Sequence, residues 1–437
     1  MPPSRYEVES KYRKILELSS KLGTLCNQAK SLQQLYSSNA LNLRHRLCDE
    51  IKVIFRYAPI EYGHRCEEIL WKRNYYDYVK FCKKFRKDMS SNDLDIFRMH
   101  ITSGIGHYQS LFFSFCKAFK LTNLEEFLSY LPFQPNFIVK ENIHYNLTGL
   151  NNGKCAKSAF ENESNVDEYN YIGDIDNDED GLTIELDLEY VQDEKYLPSL
   201  NYLAHRFCIC LGDLARYYID FFPNPENSKS FTENRFSHYY FNVAAFYYKT
   251  ASIIEPALGM PFNQLGTLYT GGHYGLDSLF YYIRCLNSKE TFTGVKENMR
   301  TTFETAQKML LKCQSSNAKG KLFNNQKQKQ ASENVQPSNQ LIKEAILNVI
   351  KLFWEVFNVG CEAGNIGNRP LSVGKLLNMT NETLVKISLA LEAEPSPNSS
   401  RTSPGSLTDE CIFQIISLFA MQIELIKSPN QEGPLEV

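Results

Sequence analysis

The chain has 437 residues and a formal net charge of −3. That length exceeds one compact unit and supplies a large core, and the near-balanced charge removes any global pull toward nucleic acid or membrane. Twelve cysteines stand singly with no CxxC pair, no stretch approaches the roughly 18 apolar residues of a membrane span, and the opening MPPSRYEVESKYRK holds no apolar run, so the reading is free buried thiols in a reducing compartment, with neither signal peptide nor membrane segment.

Residues 7–35 carry a helical pattern, with Ile15, Leu16, Leu22 and Leu25 among charged residues. A second pattern, LNLRHRLCDEIKVIF, ends before Ala58-Pro59, where proline stops or redirects a helix. A third spans 61–87 and a fourth 92–121, the latter with Phe97, Ile101, Tyr108, Leu111, Phe112 and Phe119. These predict long antiparallel helices joined by short loops. From 131 to 195 the rhythm breaks. No lysine or arginine falls between Lys157 and Lys195, while acidic residues accumulate, so an acidic insertion at about 150–195 is predicted to be mobile. Its DIDNDEDG string does not carry the ligand spacing of a calcium loop. Helical patterns resume at 200–222, 235–255, 260–271, 274–287 and 293–313. A polar linker follows over 314–340, and three further helices are predicted at 341–361, 372–395 and 408–428, the last two separated by EPSPNSSRTSPGS. The implied division is a helical domain at 1–313, the linker at 314–340, and a C-terminal helical hairpin region at 341–430.

The central region fits the tetratricopeptide template. Phe262, Leu265, Gly266 and Tyr269 have the spacing of a first helix, and Ser278, Tyr282 and Cys285 that of a second. Upstream, Cys208, Leu211, Gly212 and Ala215 make another first helix, answered by Ala244, Tyr248, Ala251 and Pro256. Gly212 and Gly266 then fall where two helices cross with no room for a Cβ. Asn263 and Gln264 are expected to face outside or cap neighbouring turns. The fold class is all-α, a tetratricopeptide-type superhelix, and such folds are normally binding surfaces.

Sequence signatures of catalysis are missing: no GxSxG, no Walker A, no HExxH and no nucleotide-binding glycine fingerprint. TGGHYG at 270–275 reads as the joint between two helices, and His107 and His205 as buried, hydrogen-bonded side chains. No catalytic residue, cofactor or metal is assigned. The clustered cations say more. Lys72, Tyr76, Lys80, Lys83 and Lys87 recur at helical spacing, beside a packing stripe of Trp71, Tyr75, Tyr78, Cys82 and Phe85. They read either as a solvated basic face or as part of a pocket for a phosphorylated side chain, completed by Arg216 with its guanidinium free to fork around phosphate oxygens.

CLGDLARY (210–217) and GMPFNQLGTL (259–268), with YGHRCEEILWKRNYYDYVKF, HITSGIGHYQSLF and FYYIRCLNSKETFTGVKENM, resemble the 14-3-3-like and tetratricopeptide region of the nonsense-mediated mRNA decay adaptors, the family that includes the telomerase-associated Est-one proteins. The resemblance covers roughly 40–130 and 198–313. It implies a 14-3-3-like helical domain and a non-enzymatic adaptor of mRNA surveillance, cytoplasmic and shuttling to the nucleus. The implied partners are a related decay factor (the family's seventh member) as heterodimer, the phosphorylated RNA helicase of surveillance, and a protein phosphatase that dephosphorylates it. The family's phosphate-binding arginine falls on Arg216. Its lysine falls on Tyr76, flanked one turn away by Lys72 and Lys80, which implies weak phosphopeptide binding by this chain alone. The family's longer members end in a nuclease-like domain, which the residues after 313 do not resemble. The alternative is a telomerase-associated or RNA-binding helical-repeat factor using the basic helix on a nucleic acid backbone, recognisable by steep salt dependence.

Overall fold

The computed structural model describes residues 3–121, 194–222, 231–324, 338–361, 373–392 and 409–427, and side chains over somewhat less of that. The predicted acidic insertion, save Glu194 and Lys195, lies outside the described residues, as do most of the linker and EPSPNSSRTSPGS. The described residues are all-helical apart from an isolated parallel bridge between Leu258 and Glu290. None of these helices is long and apolar enough to cross a membrane. The chain divides into two compact units, Met1–Phe207 and Cys208–Val437.

In the first unit, α1 (Arg5–Gln28) begins with a capping box between Ser4 and Glu7. It buries Val8, Ile15, Leu18 and Leu22, a stripe at helical spacing. A single turn, α2 (Leu32–Leu35), leads to α3 (Ser38–Tyr57), which packs on α1 and offers Glu50 to Lys11 (3.1 Å) and Lys14. Proline after Ala58 redirects the chain as the sequence predicts.

The helix predicted at 61–87 exists but is not uniform. A π turn at Pro59–Gly63 precedes α4 (His64–Leu70), and a second at Trp71–Tyr76 precedes α5 (Asp77–Phe85). The wider turn lets Asn74 and Tyr75 both face inward ahead of Tyr78, Val79 and Cys82, leaving Lys72, Tyr76 and Lys80 exposed. Arg73 is drawn against α1, where it bonds Ser19 (3.1 Å) and Asp77 (2.8 Å) and covers Gly23. Helix α6 (Ser91–Ala118), capped by Ser90 and Asp93, supplies Phe97, Ile101, Tyr108 and Phe112 to the core. The first part of α7 (Leu197–Phe221) adds Phe207, packed edge-on to Phe55 and Phe115. Within this core Glu67, fully buried, pairs with Arg206 at 2.9 Å.

Two histidines of α6 sit inside this unit, one as the sequence predicts. His107 bonds the Tyr75 hydroxyl (2.7 Å), and burial, with Lys52 nearby, pushes its pKa down to about 4. His100 stacks on Tyr78, donates to the Asn74 carbonyl (2.8 Å) and is pushed down to about 3, chiefly by burial. His205 is buried as well. The unfolded chain protonates His100 and His107 near 6.5, before the fold does. The stability they contribute is therefore whole above about pH 6.5 and is lost as pH falls toward 4 and 3. Thermal melts between pH 7 and 4 are expected to show a falling Tm, with His107→Gln flattening that slope. An unchanged slope in the variant would contradict the assignment.

The second unit is a succession of packed helices: α8 (Phe231–Ile254), α9 (Met260–Leu268), α10 (Leu276–Leu286), α11 (Val295–Asn324), α12 (Ser338–Cys361), α13 (Val373–Glu392) and α14 (Asp409–Lys427). From α8 to α13 each packs on the next, and α14 packs on α10 and α12. Helix α11 runs on to Asn324, past the point where the polar stretch begins. TGGHYG forms the joint between α9 and α10, with Gly271 and Gly275 at positive φ. Phe303 and Trp354 stack face to face between α11 and α12, centroids 4.6 Å apart.

Candidate functional site

Arg216 projects from the later part of α7 one turn beyond Gly212. Its surroundings are built by the helix crossings predicted for this repeat. A Cβ on Gly212 would meet three ring carbons of Tyr248 from α8 at under 3.0 Å, and a Cβ on Gly266 would meet the Tyr282 ring of α10 in the same way. Both glycines thus act as predicted, letting a tyrosine from the partner helix lie across the backbone. At Gly212 that tyrosine reaches the site. The Tyr248 hydroxyl donates to Asp213 Oδ1 (2.7 Å) and accepts from Arg216 Nε (3.3 Å).

The guanidinium is not free, which corrects the sequence expectation. Besides Tyr248, its Nη2 bonds Asp213 (3.2 Å) and its Nη1 bonds Asp220 (3.3 Å), and it lies 4.7 Å over the Tyr217 ring. Burial works against its charge, but Tyr248 and Asp213 outweigh that and raise its pKa, so it stays a cation. Burial likewise raises the Tyr248 phenol, with Asp213 adding to it, which keeps the hydroxyl a donor. Asp213 is buried, whereas the Asp220 side chain is 41% exposed. The outward arm of the guanidinium is therefore the one held by the carboxylate that water already competes for. Asp220 thus holds its arm of the guanidinium more weakly than the buried Asp213 does.

Gln264 completes the arrangement by donating to Asp213 Oδ1 (2.6 Å). Asn263, next to it, is buried and accepts from Asn298 of α11 (2.9 Å). Both residues face inward, contrary to the sequence expectation. Each inward amide has a polar partner, without which burial would be costly. Asp213, three residues before Arg216 in LGDLAR, was visible as an i,i+3 pair. Tyr248 and Gln264 were not assigned to the site, because their partnership with Asp213 depends on how α7, α8 and α9 pack.

The other predicted site residues belong to the first unit. Lys72, Tyr76 and Lys80 share an exposed stretch on the π turn and α5, with Tyr76 42% exposed. Lys83 and Lys87 extend the exposed stretch, and the predicted packing stripe buries Tyr75, Tyr78 and Cys82. Among the described residues no group of three or more His, Cys, Asp or Glu side chains is arranged to hold a metal ion.

Residues 65–221, which carry Arg216 and the basic helix, match the family described as telomerase activating protein Est1, and residues 244–435 match the Est1 DNA/RNA binding domain. The nonsense-mediated mRNA decay factor SMG5 of Danio rerio is 24% identical over 425 residues, covering 95% of this chain and 32% of that protein. The chain thus spans about a third of the length of that relative. A nonsense-mediated mRNA decay factor SMG7-like protein of Arabidopsis thaliana is 34% identical over 124 residues, 28% of this chain and 13% of that protein. A solved structure, "Crystal structure of Est1 and Cdc13", aligns with a TM-score of 0.48 at 12% identity, covering 96% of this chain and 66% of that chain.

Proposed function

We propose that this chain, an Est1-domain protein related to the SMG5 and Est1 adaptors, is a non-enzymatic adaptor in mRNA surveillance. It pairs with a related decay factor, engages a phosphorylated RNA helicase and promotes its dephosphorylation by a protein phosphatase. Relatedness to non-catalytic adaptors supports the non-enzymatic nature. The observation that carries the phosphate reading is Arg216: a cation kept charged by Asp213 and Tyr248, with one arm turned to an exposed carboxylate. The exposed Lys72 and Lys80 of the first unit are point charges and offer no arginine fork. Tyr76 stands where the family's second phosphate-binding cation is expected, so this chain is the weaker phosphopeptide reader and its partner the stronger. The glycine-tyrosine crossings at Gly212 and Gly266 support reading the repeats as tetratricopeptide-type within a 14-3-3-like domain. The similarity to an SMG7-like factor supports a partner of the same kind. The chain acts in the cytoplasm and shuttles to the nucleus.

Capture from cell extract on the tagged chain, with and without phosphatase treatment, tests the proposal. The expected result is an RNA helicase retained only from untreated extract and a related decay factor retained from both. Capture of neither, or retention of RNA alone with a steep salt dependence, would support the alternative nucleic-acid-binding reading instead.

A further inference from the structure

The first unit contains a cavity of about 860 Å³ between α3, the Trp71–Tyr76 turn and α6, residues the proposed function does not use. Its volume lies in the range of small-molecule sites. Arg44 lines it and is 95% buried, with 5% of its surface exposed. One guanidinium nitrogen donates to the Leu35 carbonyl (2.9 Å), and the group stacks 3.9 Å from the Tyr78 ring centre. Its Nε and Nη2 have no hydrogen-bond partner among the described residues, and the further side-chain hydrogen bond that the group donates goes to the weakly accepting Cys26 thiol. Two further lining residues repeat the pattern: the buried Oδ1 of Asn74 and the hydroxyl of Tyr36 also have no partner. Buried polar atoms in folded proteins are nearly always satisfied, and a buried cation without a carboxylate is costly. Burial in fact pushes the Arg44 pKa down to about 10, and the neighbours that oppose this are the Cys26 and Cys48 thiols and the Tyr36 phenol.

Besides Arg44 the cavity wall carries the charged side chains Lys52 and Asp49, and the imidazole of His45. Lys52 and Asp49 lie 3.9 Å apart, both largely exposed, so Asp49 is engaged at the rim. His100 and His107 also line the cavity and are held neutral by burial. The wall therefore carries Arg44 and Lys52 against Asp49. The rest of the lining includes Leu41, Ile96, Met99 and aromatic rings.

We propose that this cavity binds a small ligand with an oxyanion head and an aromatic or apolar body, the oxyanion lying against the wall formed by Arg44 and Lys52. The oxyanion offsets the uncompensated guanidinium, Asn74 and Tyr36 orient the polar end, and the apolar lining takes the body. A phosphate ester and a carboxylate share this chemistry.

The test is titration of the full chain, its histidine rings isotope-labelled, with phenyl phosphate, benzoate and phenol in separate arms. His107→Gln and His100→Gln assign their two resonances among the three cavity histidines, His45, His100 and His107. Phenyl phosphate or benzoate is expected to shift both assigned resonances, and to bind about tenfold or more tightly than phenol, which lacks the charged head. Whichever oxyanion binds more tightly identifies the source. Lys52→Gln, at an exposed position, is expected to weaken binding several-fold, and Arg44→Met by about tenfold or more. If Arg44→Met does not fold, Lys52→Gln alone carries the comparison. No shift with either oxyanion at millimolar concentration, phenol binding as tightly, or Lys52→Gln binding like the parent would each overturn the proposal. Arg44 would then be only the clamp between Leu35 and Tyr78.

Discussion

Replacing Gly212 with alanine is expected to lower the melting temperature by several degrees and to release Arg216 from its partners. The added methyl falls under 3.0 Å from carbons of the Tyr248 ring, which is fully buried and tied through its hydroxyl to Asp213 and Arg216. The ring cannot swing away without breaking both bonds. Overpacking of this kind costs roughly 1–3 kcal/mol, and hydrogen bonds to charged groups contribute about 1.5–3 kcal/mol each. The sum is about 3 kcal/mol or more, on the order of 6–12 °C for a unit of this size. Gly106 supplies the contrast. It is exposed on α6 with nothing near its missing Cβ, so Gly106→Ala should stabilise by roughly 0.5–1 kcal/mol. Differential scanning calorimetry of both variants checks the pair. A Gly212→Ala melt matching the parent would contradict the helix-crossing assignment.

The second large effect lies in the first unit. Glu67→Ala leaves Arg206, 14% exposed, without the carboxylate it meets at 2.9 Å in the core between α4 and α7. Removing one member of a buried pair costs roughly 3–5 kcal/mol, because the remaining charge stays desolvated. Glu67→Gln should cost less, since its amide oxygen still accepts from the guanidinium. Replacing both residues with methionine should recover much of the loss. Urea titration reads all three as midpoint shifts. A midpoint for Glu67→Ala within error of the parent would mean that the pair does not hold these helices.

Much of this architecture is legible in local spacing. Val8, Ile15 and Leu22 mark the inner face of α1, and Gly212 and Gly266 mark the crossings because only glycine suits a position under a tyrosine ring. What the sequence does not reveal is non-local or phase-dependent. Gln264 faces inward because Asp213, 51 residues earlier, receives it, and Asn263 because Asn298 comes 35 residues later. Nothing near either residue announces a buried partner. Glu67 and Arg206 are separated by 139 residues. The π turn at Trp71–Tyr76 has no sequence signature, yet it settles that Asn74 and Tyr75 turn inward while Tyr76 remains outside. Arg216 was readable as a candidate from LGDLAR, but its neutralising partners Asp213 and Asp220 change what it can do. On the proposed reading a phosphate would displace Asp220 rather than meet an unoccupied guanidinium.

That competition defines the decisive measurement: titration of a labelled phosphoserine peptide, with its unphosphorylated twin as control, against the parent, Arg216→Glu and Tyr76→Lys. A phosphoserine brings nearly two negative charges and three acceptor oxygens at neutral pH. The account predicts weak, phosphate-dependent binding by the parent and none by Arg216→Glu. Tyr76→Lys, which restores the expected second cation, should bind about tenfold more tightly. Equal binding of both peptides, or an Arg216→Glu variant that binds like the parent while Tyr76→Lys gains nothing, would contradict phosphate recognition through Arg216 and leave the basic helix as a solvated face.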